Sequence, residues 1–192
     1  MRRIKPLNRS DDALCAARYV SPRRRPLSGQ EAKIRAVAYA LKQAAPEAVA
    51  AAAPRMARLI HGPCWLVPIP ASDGKVRANL ALCKAIAKLV PGARVKTAVA
   101  RSRAVASSTG LRLRGFHGLK PAQHHLRRAG DRGRPLPVYL VDNVIRTGNT
   151  IRAARTALAL GVGLVYADAR GSLACRIPER HRDRVREVFL AA

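Results

Sequence analysis

Two short stretches carry residue types that could hold anions and support chemistry on a sugar. In VYLVDNVIRTGNT (residues 138–150), Asp142 and Asn143 follow four apolar residues. Arg146, Thr147, Gly148, Asn149 and Thr150 then crowd a turn just ahead of a helical pattern. Gly148 admits backbone angles closed to other residues, so neighbouring N–H groups can converge. Those groups stand at a helix N-terminus, where unsatisfied donors and the macrodipole favour an anion. An acid beside such a nest suits a sugar phosphate. The competing reading is an ordinary strand–turn–helix crossover in which Asp142 caps the turn. In the second stretch, Ser72, Asp73, Gly74 and Lys75 form a small-residue turn that could receive another anion, with Lys75 as a point charge. Here too a plain turn is the alternative. Between the two lies RSRAVASSTGLRLRGFHGL (residues 101–119), without a sustained period and carrying Arg101, Arg103, Arg112 and Arg114. A basic stretch this long without regular structure is usually functional or disordered. His117 within it is the candidate general base. His124 and His125 have no metal-ligand spacing and read as surface residues.

These groups need elements to position them. Val138–Val141 fits a strand buried on both faces of a parallel sheet, followed by a helix over Ile151–Leu160 and a stop at Gly161. Val162–Ala167 reads as a further strand, placing Asp168, Ala169, Arg170 and Gly171 at its carboxyl end, where ligands bind in open α/β sheets. Cys64–Pro70 is the first strand candidate, and Pro68 requires it to be an outer strand or to end there. A helix follows over Val76–Val90, with Val76, Leu80, Cys83, Ile86 and Val90 on its buried face. Val95–Ala100 reads as a short strand and Pro121–Arg128 as a short helix.

Upstream, residues 1–27 read as an irregular basic arm in which Tyr19 and Val20 pack on the domain. Arg23–Arg25 are either solvated or in touch with an anionic partner. Ser28 and Glu31 have capping-box spacing, opening a helix to Ala44 with Ile34, Val37, Ala38 and Leu41 on one face. An Ala-rich helix continues to Ile60, broken or kinked at Pro54. The pair is expected to form a small cap over a site. The charged run ERHRDRVR (residues 179–186) and the apolar residues after it suggest a terminal helix packed on the domain. The organisation is therefore an arm and helical cap (1–62), a core (63–172) and a C-terminal charged segment (173–192). Alternating strands and helices predict an α/β fold with a doubly wound, mostly parallel sheet and both loops at one edge of the strands.

Bulk properties narrow the function classes. A chain of 192 residues with 48% hydrophobic content can bury a real core, although aromatics are only 4%. No apolar run approaches the roughly 20 residues of a membrane span. The basic N-terminus lacks the apolar segment of a secretory signal, so a cytoplasmic location is expected. Cys15, Cys64, Cys83 and Cys175 are widely spaced, which argues against a zinc site and for buried thiols in a reducing compartment. The net charge of +26, from 37 basic and 11 acidic residues, attracts polyanions; it reflects either a nucleic-acid partner or compositional bias.

The motif LVDNVIRTGNT resembles the phosphoribosyl-pyrophosphate (PRPP) motif of type I phosphoribosyltransferases: four hydrophobic residues, two acidic positions, then a Thr-Gly-x-Thr loop. VPIPASDGK resembles the pyrophosphate-binding loop of the same family, and the basic segment after it is similar to that of the competence-associated (ComF-type) branch. The resemblance spans roughly residues 63–171. It implies the type I phosphoribosyltransferase fold and a reaction in which a nitrogenous acceptor displaces pyrophosphate from PRPP, with Mg²⁺ arriving through the substrate phosphates. By that resemblance Asp142 and Asn143 would hold the ribose hydroxyls. Arg146 to Thr150 would wrap the 5-phosphate. Ser72 to Lys75 would take the pyrophosphate, and Arg101 and Arg103 would close on it from a mobile lid. A homodimer is compatible with the resemblance. Two positions depart from the family: Asn143 stands where a second acid is usual, and Arg146 where a small residue or Thr is common. A non-catalytic, nucleic-acid-binding regulator on this fold is the alternative. The acceptor has no diagnostic residue.

Overall fold

The computed structural model describes residues 13–21, 26–107, 110–111, 118–130 and 136–170. In chain order these form β1 (Ala13–Arg18), α1 (Gly29–Ala40), a 3₁₀ turn (Leu41–Gln43), α2 (Pro46–Ala57), β2 (Cys64–Pro68), α3 (Arg77–Ala87), β3 (Ala93–Val95) and β4 (Val99–Arg101). A second 3₁₀ turn (Pro121–His124), β5 (Leu126–Arg128), β6 (Val138–Ile145), α4 (Asn149–Leu158) and β7 (Val162–Asp168) follow. The main sheet has five strands in the order β1-β7-β6-β2-β3, every neighbouring pair parallel, while β4 and β5 form a separate antiparallel ribbon. The protein is an α/β fold with its sheet covered on both faces.

The central strands explain the layering. Along β6, Tyr139 and Val141 point into the core shared with α1, α2 and α3. Val138 and Leu140 point into the core shared with α4 and β4. Burial of both faces is why this run reads as continuously apolar. Replacing the fully buried Leu140 by Ala would cost about 2–5 kcal/mol through lost contacts and a residual cavity. Pro68 is the last residue of β2, an inner strand, so the strand-end alternative holds. Leu66 still accepts from Lys96 on the β3 side, but β2–β3 pairing stops there, so no ladder bond is lost for want of a Pro68 N–H.

Several elements differ from expectation. Residues 13–18 are not irregular: they form an edge strand paired with β7, and Ala13, Cys15 and Ala17 are buried. The capping box at Ser28 and Glu31 forms as expected. α1 closes into the 3₁₀ turn, ending at left-handed Ala44. α2 runs unbroken through Pro54, since Pro54 and Ala50, whose carbonyl loses its partner there, are both exposed to water. α2 packs Ala48, Ala52, Ala53 and Met56 into the main core against the sheet. The buried face of α3 is Asn79, Leu82, Cys83 and Ile86, whereas Val76 and Leu80 are half-buried. The expected strand over 95–100 is divided between two sheets, β3 and β4. The expected helix over 121–128 is a 3₁₀ turn, a left-handed His125 and β5. Arg23–Arg25, Arg112, Arg114, His117, Gly171 and the 173–192 segment lie outside the described residues.

This topology creates a crevice. From β2 the chain crosses to β3 on one side, and from β6 it crosses to β7 on the other. The loops leaving these two adjacent strands diverge at their carboxyl ends, the switch point at which open α/β sheets bind ligands.

Candidate functional site

A cleft of about 870 Å³ opens at that switch point. Its floor is the end of β6, which runs three residues beyond Asp142 because Asp142, Val144 and Ile145 keep their register with β7. Asp142 is therefore a strand residue, half-buried, with its carboxylate gripped from two sides. The Asn143 N–H donates to it at 2.8 Å and the Asn79 amide at 3.3 Å. Burial raises the Asp142 carboxyl above its ordinary value, opposed by these two donors and by the charges of Lys42 and Arg101. Asn143 accepts from the Val144 N–H at 2.8 Å and also lines the cleft.

Beyond Ile145 the chain turns through Arg146, Thr147 and Gly148 into α4. Gly148 sits at φ 77°, the left-handed conformation, as the residue before the helix. No acid occupies the first helical turn and no side chain caps it. Arg146, Thr147, Gly148 and Thr150 line the cleft. Asn149 does not: its amide donates to the Leu119 carbonyl at 2.6 Å and its oxygen accepts from Arg152. Arg152 also donates to the Thr147 carbonyl at 3.2 Å, pinning the turn from behind. The sequence reading passes over Arg152, although a cation in the first turns of a helix opposes the macrodipole and calls for a local acceptor.

On the opposite wall, the loop after β2 closes on itself. Ala71 N–H donates to Lys75 O at 2.8 Å and Gly74 N–H to Ala71 O at 2.9 Å, with Gly74 at φ 86°. Asp73 accepts from the Lys75 N–H at 3.0 Å and lies 3.7 Å from the exposed Lys75 ammonium. Ser72 lines the cleft, whereas Asp73, Gly74 and Lys75 are not among its lining residues.

Arg101 stands at the end of β4 and lines the cleft. Its Nε donates to Ala71 O at 2.8 Å, Nη2 to Pro70 O at 3.2 Å and Nη1 to His124 O. A guanidinium engaged by three backbone carbonyls is a brace that leaves a fixed positive charge in place. Arg103 is not among the residues lining the cleft, and its Nη2 lies 2.8 Å from His125 Nε2. His124 is buried, not superficial, and burial followed by the Arg101 charge pushes it down to about 4, so it is neutral at physiological pH. Asp168, at the end of β7, is engaged bidentately by Arg170 at 2.8 and 3.0 Å, a structural pair.

Asn79 is the main omission from the sequence reading. On α3 it donates to the Ile69 carbonyl at 2.7 Å as well as to Asp142, tying the ends of β2 and β6 together. An amide three residues before Leu82 on an otherwise apolar face is its signal. The cleft is lined by further cations, Arg18, Arg35 and Lys42, and by Tyr19 and Tyr39. Among the described residues no group of three metal-ligating side chains occurs. Asp142 is the one carboxylate among the described residues that line the cleft. No helix among the described residues is long and apolar enough to cross a membrane.

The arrangement offers a carboxyl group between the turn after β6 and the loop after β2, with Arg101 braced by backbone carbonyls and Arg146 also lining the cleft. No protein-family model matches the chain, and no curated protein matches it.

Proposed function

We propose that the cleft binds PRPP and that the chain is a phosphoribosyltransferase of the type I kind. The reading rests on one observation above others: Asp142, held by Asn79, stands at the β6 end beside the left-handed Gly148 turn and faces the β2 loop across one cleft. In this reading Arg146, Thr147, Gly148 and Thr150 receive the 5-phosphate, and Asp142 and Asn143 the ribose hydroxyls. Ser72 and the fixed charge of Arg101 face the pyrophosphate, which carries Mg²⁺ with it. A nitrogen lone pair forms the bond to the anomeric carbon as the carbon–oxygen bond to pyrophosphate breaks. Both electrons leave on pyrophosphate, and the nitrogen's proton passes to solvent. The transition state is cationic at the ring, where the Asp142 carboxylate favours it, and most of the rate comes from positioning and charge.

Calorimetric titration with PRPP and Mg²⁺ tests the donor. Heat that disappears in Asp142→Ala is expected; no heat at millimolar PRPP sinks the reading. Pyrophosphate release with a panel of nitrogenous bases tests transfer. A non-catalytic nucleic-acid binder is the second reading, favoured by the +26 charge and by Asn143 in place of an acid. No release with any base, together with RNA binding that weakens steeply with salt, would select it.

A further inference from the structure

The cations of the cleft fall into two groups. Arg146, on the turn after β6, and Arg101, at the end of β4, line the cleft with Asp142. Arg18, Arg35 and Lys42 also line it, carried on β1, α1 and the 3₁₀ turn after it. The described ion pairs are Lys75–Asp73 and Arg170–Asp168, so none of these three is neutralised by a described acid. Their placement is built rather than diffuse. The Arg35 guanidinium carbon lies 5.1 Å and the Lys42 ammonium 5.4 Å from the centroid of the Tyr39 ring, so one aromatic gathers both charges. Tyr19 lies beside Arg35 and Tyr39, and its hydrogen bond holds the Tyr39 phenol below its ordinary value. Arg35 Nε is buried and has no hydrogen-bond acceptor among the described residues. Two like charges gathered on one ring repel each other, and an anion between them relieves that repulsion. Lys42 also reaches Asp142 electrostatically, so the Arg35–Tyr39–Lys42 group adjoins the carboxylate beside which bond formation is assigned.

We infer that the acceptor joined to the ribose is itself an anion, a nitrogen compound whose carboxylate or phosphate is held by Arg35 and Lys42 beside Tyr39 in the cleft. The inference rests on the PRPP reading and names the substrate class that the reading leaves open. A neutral base would leave these neighbouring cations without a counter-charge. Arg18 adds a third charge to the cleft lining.

The test uses the full chain and probes of matched shape: nicotinate against nicotinamide for a carboxylate, and phenyl phosphate against phenol for a phosphate. PRPP binding is read first by calorimetry, and the probes are then titrated onto protein saturated with PRPP and Mg²⁺ by saturation-transfer NMR. The charged member of at least one pair should bind about tenfold or more tightly than its neutral partner, the scale of one charge-assisted hydrogen bond. Which pair shows the preference identifies the group. Arg35→Gln/Lys42→Gln should erase the preference, whereas Lys84→Gln/Lys88→Gln, which removes equal charge from the exposed outer side of α3, should keep it. No PRPP heat overturns the donor reading and the inference with it. PRPP heat with equal binding of charged and neutral probes overturns the inference alone, as does equal loss in both double variants. Binding of a uridine dodecamer that depends on Arg35 and Lys42, without binding of either charged probe, assigns the cations to nucleic acid and also overturns it.

Discussion

Asn79→Ala probes the joint on which the cleft depends. The side chain makes two hydrogen bonds of different worth. The Ile69 carbonyl, on a residue 1% exposed, accepts from it at 2.7 Å. Removing the donor leaves a buried acceptor unpaired, a cost of about 1–3 kcal/mol. The bond to Asp142 is longer, 3.3 Å, and sharing that carboxylate with the Asn143 N–H limits its loss to about 0.5–1 kcal/mol. The variant should therefore lose roughly 2–3 kcal/mol in urea at pH 7, with an unchanged denaturant slope, and melt about 5–10 °C lower. The pH dependence has a definite sign. Asp142 already titrates above its ordinary value in the folded protein, so its contribution to stability is fully present at low pH and is lost as pH rises through the folded value. Losing the Asn79 donor raises that value further, so the deficit of Asn79→Ala should shrink as pH is lowered through it. A cycle with Asp142→Ala should return a coupling of about 0.5–1 kcal/mol. A variant within about 0.5 kcal/mol of wild type, or a coupling indistinguishable from zero, would refute the assignment of Asn79 as the tie between the two strand ends.

Other perturbations are as specific. Gly148→Ala should cost about 1–2 kcal/mol and weaken PRPP binding, because φ is 77° while the nearest atoms to an added Cβ lie 3.8 Å away, so the cost is conformational alone. Gly161→Ala should destabilise more and leave PRPP affinity alone: φ is 109°, an added Cβ meets Leu140 at 3.1 Å, and the residue is remote from the cleft. His124 is held near 4 when folded, so stability should fall as pH drops from about 6.5 toward 4, by up to about 3 kcal/mol, and His124→Gln should flatten that slope in urea titrations. Arg101→Gln should lose about 2–4 kcal/mol by chemical denaturation as its carbonyl contacts fail, and no loss would show that the brace is idle. Cys64 is pushed up to about 11 by burial, and Cys83 is raised further, so neither should react with a thiol reagent at pH 8 until the protein unfolds.

The sequence is most legible where residue types contrast. The 138–150 stretch is recognisable because four bulky apolar residues meet an acid, an amide and a Gly-bearing turn. Even so the apolar run stops at Val141 whereas β6 continues to Ile145, since a polar pair looks like a turn unless its register with a neighbour is known. β1 is hidden for the opposite reason. Ala13, Cys15 and Ala17 alternate inward with the period of a strand, but the positions between them, Leu14 and Ala16, are apolar too, so the alternation carries no contrast. The site divides in the same way. Asp142, Ser72 and the Arg146–Gly148 turn are visible as motif residues. Asn79, Arg152 and the Arg35–Tyr39–Lys42 group are not, because each acquires its role from partners on another element or from the turn it folds against. Arg101 stands out as a charge, yet the carbonyl its Nε serves lies 30 residues away in the chain.

Those carbonyls give the cleft its electrostatic logic. A parallel strand ends with carbonyl oxygens projecting forward, a poor wall for any anion. At the end of β2, three successive oxygens meet donors: Ile69 O accepts from Asn79, Pro70 O from Arg101 Nη2, and Ala71 O from Arg101 Nε and the Gly74 N–H. The strand end is thereby capped by an amide, a fixed cation and a backbone turn. The same cation also lies within electrostatic reach of Asp142, opposing the rise that burial imposes on the carboxyl. One guanidinium thus does two things: it covers the oxygens that would repel a phosphate, and it opposes the upward shift that burial imposes on the acid beside them. A lysine could match the charge but could not span Pro70, Ala71 and His124 in one plane, which is why the fork of Arg suits this position.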